Sequence, residues 1–518
     1  MNRFCRLMLW SWVLPWSLVS TLIAQSQSDS PIYKNYRPQG PSTLIRRSDI
    51  NYNMLQLFIL ERKANAGELE AQHELGLRYL LGEGVMADTA KGAHWIGKAA
   101  DRGYSEAQYN MAIVWFNGWG GEWNPFKTFD LLLTCAEKGM PESQHLLGMF
   151  YTENLVVPRN WEEGYRWVKK AADAGYAPSR ETLKDFEARG LGVPKDTTKA
   201  AAQKTKPQSR LALGFVFQDG ESDTTSTSDK TLLQDALREA TPQLRQALGL
   251  QKSTEKIDLD SSGVKALREA AEEGSPEALT ILGRNYERGT VVQKDIVLAT
   301  VYYLRAIRMS SNRAPGLLSQ LVQEPMYLDR LKARVEKKDP DALYAYATLS
   351  ALRLDYLLSK TQFPISDQKA LEFLQTAVAA NHLQSRVELG LCYYSGRWVQ
   401  ESRQRAIELW KEAVALGNKE AQVRIAALTV QDSTADEYSR IAALAVLEKA
   451  VQGGSLLAQV ALGYCYETGN VVQRRWAEAA KQYRNAAQRG SKDAYAALQH
   501  MHDSLRPNLP RFQIGEFQ

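Results

Sequence analysis

The side chains that most often carry out chemistry are few in this sequence, and they do not converge. The six histidines are His73, His94, His145, His382, His500 and His502. His500 and His502 are close in sequence, but alternate residues of a helix point apart, and no cysteine or carboxylate completes a ligand set. Glycine turns such as Gly82 and Gly84 lack the preceding strand and the following lysine of a phosphate-binding loop. We therefore predict no catalytic residue, metal or cofactor, and no enzyme.

Aromatic side chains are concentrated in one short segment, at residues 115–126. Exposed aromatic faces can hold a peptide or stack against a sugar ring. The candidate binding residues are Trp115, Trp119, Trp123 and Phe126. The alternative is structural, namely that these rings fill the space left by an irregular loop.

Three cysteines follow residue 26, and an odd number of thiols cannot all form disulfides within the chain. Cys392 and Cys465 occupy equivalent places of two separate repeats, too far apart for a disulfide, and Cys135 lies in another part of the chain. We expect all three to be buried, unpaired and chemically inert.

The N-terminus has the organisation of a secretory signal. Arg3 and Arg6 precede an apolar stretch over residues 7–23, and Ala24 and Ser26 offer small residues for cleavage. The alternative is an uncleaved membrane anchor. We predict export to a bacterial envelope, as a periplasmic or secreted protein, and no membrane span in the mature chain. The 64 basic and 59 acidic residues nearly balance, which argues against a nucleic-acid partner.

With 518 residues the chain is too long for one compact core, and it contains an internal repeat of about 36 residues. Ala71, Leu75 and Tyr79 share one helical face, Gly82 ends that helix, and Asp88 is placed to begin a second one. The first unit of the pattern contains Ala71, Leu75, Gly76, Tyr79, Gly82, Gly84, Val85, Asp88, Trp95, Ala99, Ala100 and Gly103. Similar sets recur near residues 107, 143, 278, 385, 421 and 458. Each unit is thus a helix hairpin that must stack on its neighbours.

This pattern resembles the Sel1-like repeat family, a group related to the tetratricopeptide repeats. The stretch from Leu75-Gly76 through Gly84-Val85 to Ala99-Ala100 and Gly103 carries the resemblance. It implies an all-α fold, a right-handed α-solenoid of antiparallel helix pairs. It also implies an adaptor or scaffold function. His73 and His145 take the same place in two repeats and are expected to be exposed.

The pattern divides the chain into a series of segments. Residues 1–26 are the signal peptide, 27–65 a flexible tether and N-terminal cap, and 66–203 a first run of repeats. Residues 204–274 are a split repeat with an insertion at about 221–260, for which the alternative is a plain linker. A second run over 275–490 is irregular near 311–368, and 491–518 form a capping helix and tail. The predicted function is an exported scaffold that holds a peptide or protein on the concave face lined by the first helices. The alternative is glycan or peptidoglycan binding through the aromatic segment.

Overall fold

A computed structural model describes residues 44, 54–193, 261–290, 292–352, 354 and 366–514. This part of the chain contains 22 α-helices and no strand, which confirms the all-α prediction. The helices are α1 (Met54–Asn65), α2 (Leu69–Leu81), α3 (Thr89–Asp101), α4 (Ser105–Asn117), α5 (Pro125–Glu137), α6 (Pro141–Glu153), α7 (Trp161–Asp173), α8 (Ala177–Arg189), α9 (Ser261–Glu272), α10 (Pro276–Arg288), α11 (Ile296–Arg308), α12 (Ala314–Val322), α13 (Tyr327–Glu336), α14 (Pro340–Ala351), α15 (Asp367–Ala379), α16 (Leu383–Ser395), α17 (Arg403–Ala415), α18 (Lys419–Thr429), α19 (Glu437–Gln452), α20 (Leu456–Thr468), α21 (Trp476–Gln488) and α22 (Lys492–Asp503).

Local sequence sets the ends of the first repeat and the closeness of its two helices. Gly82 takes the left-handed conformation (φ 73°) that ends α2, and the Asp88 carboxylate accepts a hydrogen bond from the Lys91 amide at the start of α3. Gly76 lies so close to α3 that a Cβ atom there would approach the Gly92 carbonyl oxygen to 2.9 Å. Small residues at this place therefore allow the two helices of a pair to pack tightly.

The described helices form two compact units. The first unit contains α1–α8 together with α21, residues 494–503 of α22 and the chain that follows α22. The second unit contains α9–α20, with residues 489–493. In each unit consecutive helices pack against one another, and their buried apolar side chains form a series of clusters. The first unit therefore joins the beginning of the repeat array to the end of the chain.

The predicted irregularity near 311–368 has a simple structural form. Two short helices, α12 and α13, lie between α11 and α14. Pro315 is placed in the first turn of α12 and Pro340 in the first turn of α14, where proline is tolerated. Because α14 packs directly on α11, the extra pair interrupts the sequence period without interrupting the stack.

Several segment predictions fall on parts of the chain outside the described residues. These are the signal peptide (1–26), most of the tether (27–65) and the insertion (221–260). The helix α1 lies within the segment predicted as tether and N-terminal cap, and α22 and a short 3₁₀ turn, Pro510–Phe512, lie within the segment predicted as C-terminal cap and tail. Gly274 follows α9 with φ 93°, and the split repeat itself stays a prediction.

Candidate binding surface of the first unit

The prediction that His73 and His145 are exposed is wrong. Both side chains are buried, and each reaches the first helix of the next repeat. His73 Nε2 lies 2.7 Å from Asn110 Nδ2, and His145 Nδ1 lies 2.9 Å from Ser179 Oγ. Burial lowers the pKa of His145 to about 3, so this imidazole is neutral at physiological pH. These histidines join neighbouring repeats.

The three cysteines are buried and free, as predicted. Burial raises the pKa of the Cys135 thiol to about 11 and those of Cys392 and Cys465 to about 12. A thiol with so high a pKa holds almost no thiolate near neutral pH, and thiolate is the reactive form. These groups act as small apolar side chains of the core.

Two acidic side chains on first helices of the second unit, Glu420 and Glu277, form buried ion pairs. Glu420 pairs with Arg305 on α11 and with Arg424 on its own helix, at 3.6 Å and 2.9 Å. Burial opposes ionisation, but the two guanidinium groups hold the pKa of Glu420 below its usual value. Glu277 forms a second buried ion pair, with Arg489 at 2.7 Å. These carboxylates are structural.

The first helices of the repeats differ in the surface that they leave free. In α6, α10 and α14 most side chains are buried, polar ones included, whereas α8 buries only Ser179, Thr182, Asp185 and Phe186. The predicted binding face was the row of first helices, and binding there stays a prediction. The surface of the first unit near α5 and α6 is different, because it contacts chain that does not belong to the repeats.

The structure separates the four predicted aromatic binding residues into two groups. Trp123 and Phe126 are buried, with 7% and 2% of their surface exposed, whereas Trp115 and Trp119 are partly exposed. Trp123 packs against Trp476 and His502, at ring-centroid distances of 6.1 Å and 5.2 Å. Trp123 and Phe126 therefore present no ring face to solvent. Glycan binding by this segment stays a prediction, with Trp115 and Trp119 as its accessible rings.

The C-terminal helices cover this aromatic segment by contacts that span more than 300 residues of sequence. Arg484 on α21 forms a buried ion pair with Glu153 at the end of α6, and its guanidinium lies over the Phe116 ring. The Tyr495 hydroxyl donates to the Glu153 carbonyl oxygen at 3.3 Å. A Cβ atom on Gly118 would lie 2.6 Å from the Ala477 Cβ, so glycine permits this close approach.

The chain after α22 then crosses α5 and the loop after α6, in what we call the tail groove. The groove consists of Phe126, Phe129, Asp130, Leu155 and Val156. The tail is residues 504–514. Two of its residues, Arg506 and Phe512, anchor it, and the sequence predicted neither of them as a contact residue.

Phe512 is the apolar anchor of the tail. Its ring is fully buried and meets the Phe126 and Phe129 rings edge to face, at centroid distances of 5.1 Å and 5.8 Å. Edge-to-face contacts of this kind are favourable because the positive ring edge meets a negative ring face. Phe512 lies outside the repeat period, so periodicity gave no signal for it.

Arg506 is the polar anchor. Its guanidinium donates to the carbonyl oxygens of Leu155 and Val156, at 2.8 Å and 3.2 Å, and lies over the Phe126 ring at 5.3 Å. It also donates to the Phe512 carbonyl oxygen at 2.6 Å, which ties the two anchors together. Because the acceptors are main-chain carbonyl oxygens, no side-chain motif in the sequence could predict these hydrogen bonds.

Comparison with known proteins agrees with this architecture. The Sel1 repeat matches residues 69–104, 105–140, 141–176, 187–202, 276–311, 384–418 and 456–491. The chain is a Sel1-repeat protein. The last match is divided between the units, because its first helix, α20, belongs to the second unit and its second helix, α21, to the first. In this Sel1-repeat protein the second helix of the last matched repeat, α21, therefore belongs to the same unit as the first repeats.

Similar proteins include an uncharacterized protein of Neisseria meningitidis, 27% identical over 267 residues, or 49% of this chain and 55% of that protein. The DAP3-binding cell death enhancer 1 of Rattus norvegicus is 34% identical over 103 residues, 20% of each chain. The chain thus spans about half or less of the length of these curated relatives. A solved protective antigen of uropathogenic Escherichia coli with an SLR fold is 22% identical, covering 86% of this chain and 82% of that one, with TM-score 0.29.

In the part of the chain that the structure describes, no group of three or more His, Cys, Asp or Glu side chains is arranged to hold a metal ion. None of the helices in this part of the chain has the length and apolar character needed to cross a membrane.

Proposed function

We propose that this Sel1-repeat protein is an exported, non-catalytic scaffold that binds a protein partner through its repeats. Sel1-repeat proteins generally mediate protein–protein interactions as scaffolds or regulators. The buried histidines, cysteines and ion pairs described above all have structural roles, which agrees with a scaffold. One relative is named for binding another protein, DAP3.

The observation that carries the proposal is the tail groove. There the first unit holds a non-repeat segment through one buried aromatic ring and one arginine bound to main-chain oxygens. Recognition of short segments by a few anchors is a common way in which folded domains bind peptides. A repeat surface that binds such a segment of its own chain has the chemistry needed to bind one from a partner.

The export part of the proposal rests on residues 1–26, with Arg3 and Arg6 before the apolar stretch. It is tested by expressing the full chain with a C-terminal tag and measuring the mass of the mature N-terminus. We expect a start near residue 25 or 27 in the exported fraction. An intact N-terminus retained in the membrane fraction would instead identify an uncleaved anchor.

Affinity capture tests the scaffold. The chain from residue 27 is immobilised, exposed to envelope extract before and after protease treatment, and the bound material is identified. We expect a discrete protein that protease removes. Protease-resistant polysaccharide with no enriched protein would overturn the scaffold proposal in favour of glycan binding.

Matched tryptophan variants separate these outcomes further. Glycan binding through the aromatic segment requires that Trp115→Ala abolish polysaccharide retention while thermal stability changes little, since Trp115 is partly exposed. Trp123→Ala is the comparison, because that ring is buried and its loss lowers stability by about 3–5 kcal/mol.

A further inference from the structure

We propose that the tail groove is a binding site for a partner segment with an arginine and, six positions later, a phenylalanine, and that this chain's tail occupies it in cis. The proposal rests on the scaffold function and names the chemistry of its partner. Residues 504–514 act here as a built-in ligand, so a partner segment must displace them. The chain is then a scaffold whose binding groove is closed by its own C-terminus.

The apolar half of the site is a ring socket. Phe126 and Phe129 lie on the same face of α5, three residues apart, and both rings meet Phe512 edge to face. Residues three apart on a helix are neighbours, so the two rings form one receptor for a third ring. An aromatic side chain fits this socket, whereas an aliphatic one loses both edge-to-face contacts.

The polar half of the site selects arginine over lysine. The Leu155 and Val156 carbonyl oxygens accept from the two terminal nitrogens of Arg506, and the Phe126 face receives the guanidinium plane. A planar, forked group with several donors satisfies these contacts at once, which a single ammonium cannot do. Leu155 and Val156 are themselves buried, so their carbonyl positions are fixed by the core.

Leu505, next to Arg506, is partly buried against the core, whereas the chain between and after the two anchors is held lightly. Asn508, Leu509, Pro510, Arg511 and Gln513 are exposed, and the ion pair of Arg511 with Asp130 joins two half-exposed side chains. Pro507 and Pro510 restrict the free segment and reduce the ordering needed on binding. A segment anchored at two places with exposed chain between them is suited to exchange with a competitor.

Peptide exchange tests the proposal on the full chain. A protease site is inserted after Ser504, and the folded protein is cleaved so that the tail stays in place without a covalent link. A labelled peptide of residues 503–514 is then titrated in by fluorescence anisotropy. We expect saturable binding to the cleaved chain and at least a tenfold weaker response with the uncleaved chain, because the linked tail competes at high effective concentration.

Peptide variants test the specificity. Arg506→Lys and Phe512→Leu in the peptide should each weaken binding at least tenfold. Asn508→Ala is the matched control and should change binding less than threefold, since the Asn508 side chain is exposed. Equal binding by all four peptides would overturn the claim of two-anchor recognition.

A second measurement guards against a tail that is a permanent part of the core. If the cleaved fragment never exchanges with excess labelled peptide while helical content stays native, the groove is not a binding site and the proposal is wrong. Capture of an envelope protein by that same preparation would leave the scaffold function standing, so the two proposals fail separately. Capture that is lost when the peptide is added in excess supports both.

Discussion

Breaking the buried Arg484–Glu153 pair should destabilise the first unit far more than its replacement by apolar residues. The two side chains are 3% and 9% exposed and lie 331 residues apart in sequence. Two unit charges about 4 Å apart at an effective dielectric constant of about 20 attract by about 4 kcal/mol. That attraction offsets a desolvation cost of several kcal/mol for each ion, so the pair as a whole contributes little net stability.

Each single variant removes the attraction between the two charges but leaves the other charged side chain buried, and that side chain keeps its desolvation cost. We therefore expect Arg484→Met and Glu153→Leu each to lower the free energy of unfolding by about 3–5 kcal/mol. The double variant should lose less than either single variant, so the coupling energy should exceed about 3 kcal/mol. Urea unfolding is followed by helical circular dichroism and by tryptophan fluorescence, because Trp123 and Trp476 are in contact across the same junction.

The exposed pair of Arg166 with Glu163 is the matched control, with side chains 57% and 31% exposed. Its double-mutant cycle should give a coupling energy below about 1 kcal/mol. If the Arg484–Glu153 cycle gives a coupling no larger than this control, the pair is not a buried link between the end of the chain and its first repeats, and the reasoning fails.

Three other predictions follow from burial and packing. Gly148→Ala should destabilise by about 1–3 kcal/mol because its Cβ would lie 2.9 Å from the Gly164 carbonyl oxygen. Gly316→Ala, which meets nothing within 4 Å, should stabilise by about 0.5–1 kcal/mol. A stabilising Gly148→Ala or a destabilising Gly316→Ala in thermal unfolding would contradict this. The folded pKa of His145, about 3, lies below its unfolded value near 6.5, so its contribution to stability is complete above pH 6.5 and declines as the pH falls towards 3. By pH 5 the loss is about 2 kcal/mol, and His145→Gln should reduce this pH dependence; unfolding curves at pH 7 and pH 5 compare the two chains. Iodoacetamide at pH 8 should leave three thiols unmodified in the folded chain and alkylate them in urea, as read by peptide mass mapping, and rapid labelling of the folded chain would show accessible thiolate at Cys135, Cys392 or Cys465.

The repeat was predictable because its signals are local. Leu75 and Tyr79 mark a buried face, Gly82 ends the helix in a left-handed conformation, and Asp88 caps the next helix, all within one hairpin. His73 was misjudged because its environment comes from the next repeat, through Asn110, and not from its own helix. A variable polar residue at one place of a repeat is therefore not necessarily exposed.

The candidate site was predictable only in part, because its other half comes from the far end of the chain. The sequence drew attention to Trp123 and Phe126 as an aromatic group, and the structure places both in one region. The sequence did not indicate that His502, Arg506 and Phe512 cover these two rings, since no period or motif links residues separated by more than 350 positions. Pairing of distant segments depends on tertiary packing, which local patterns do not encode.

These long-range contacts change how stability should be distributed in the first unit. In an ordinary repeat array each unit contacts its neighbours, so stability is a sum of local terms and loss of a terminal repeat affects the adjacent one. Here Arg484, Tyr495 and Phe512 rest on the loops and helices of the second and third repeats. Removal of the C-terminal repeat should therefore destabilise the N-terminal repeats directly, and the nearest-neighbour description should fail for this unit.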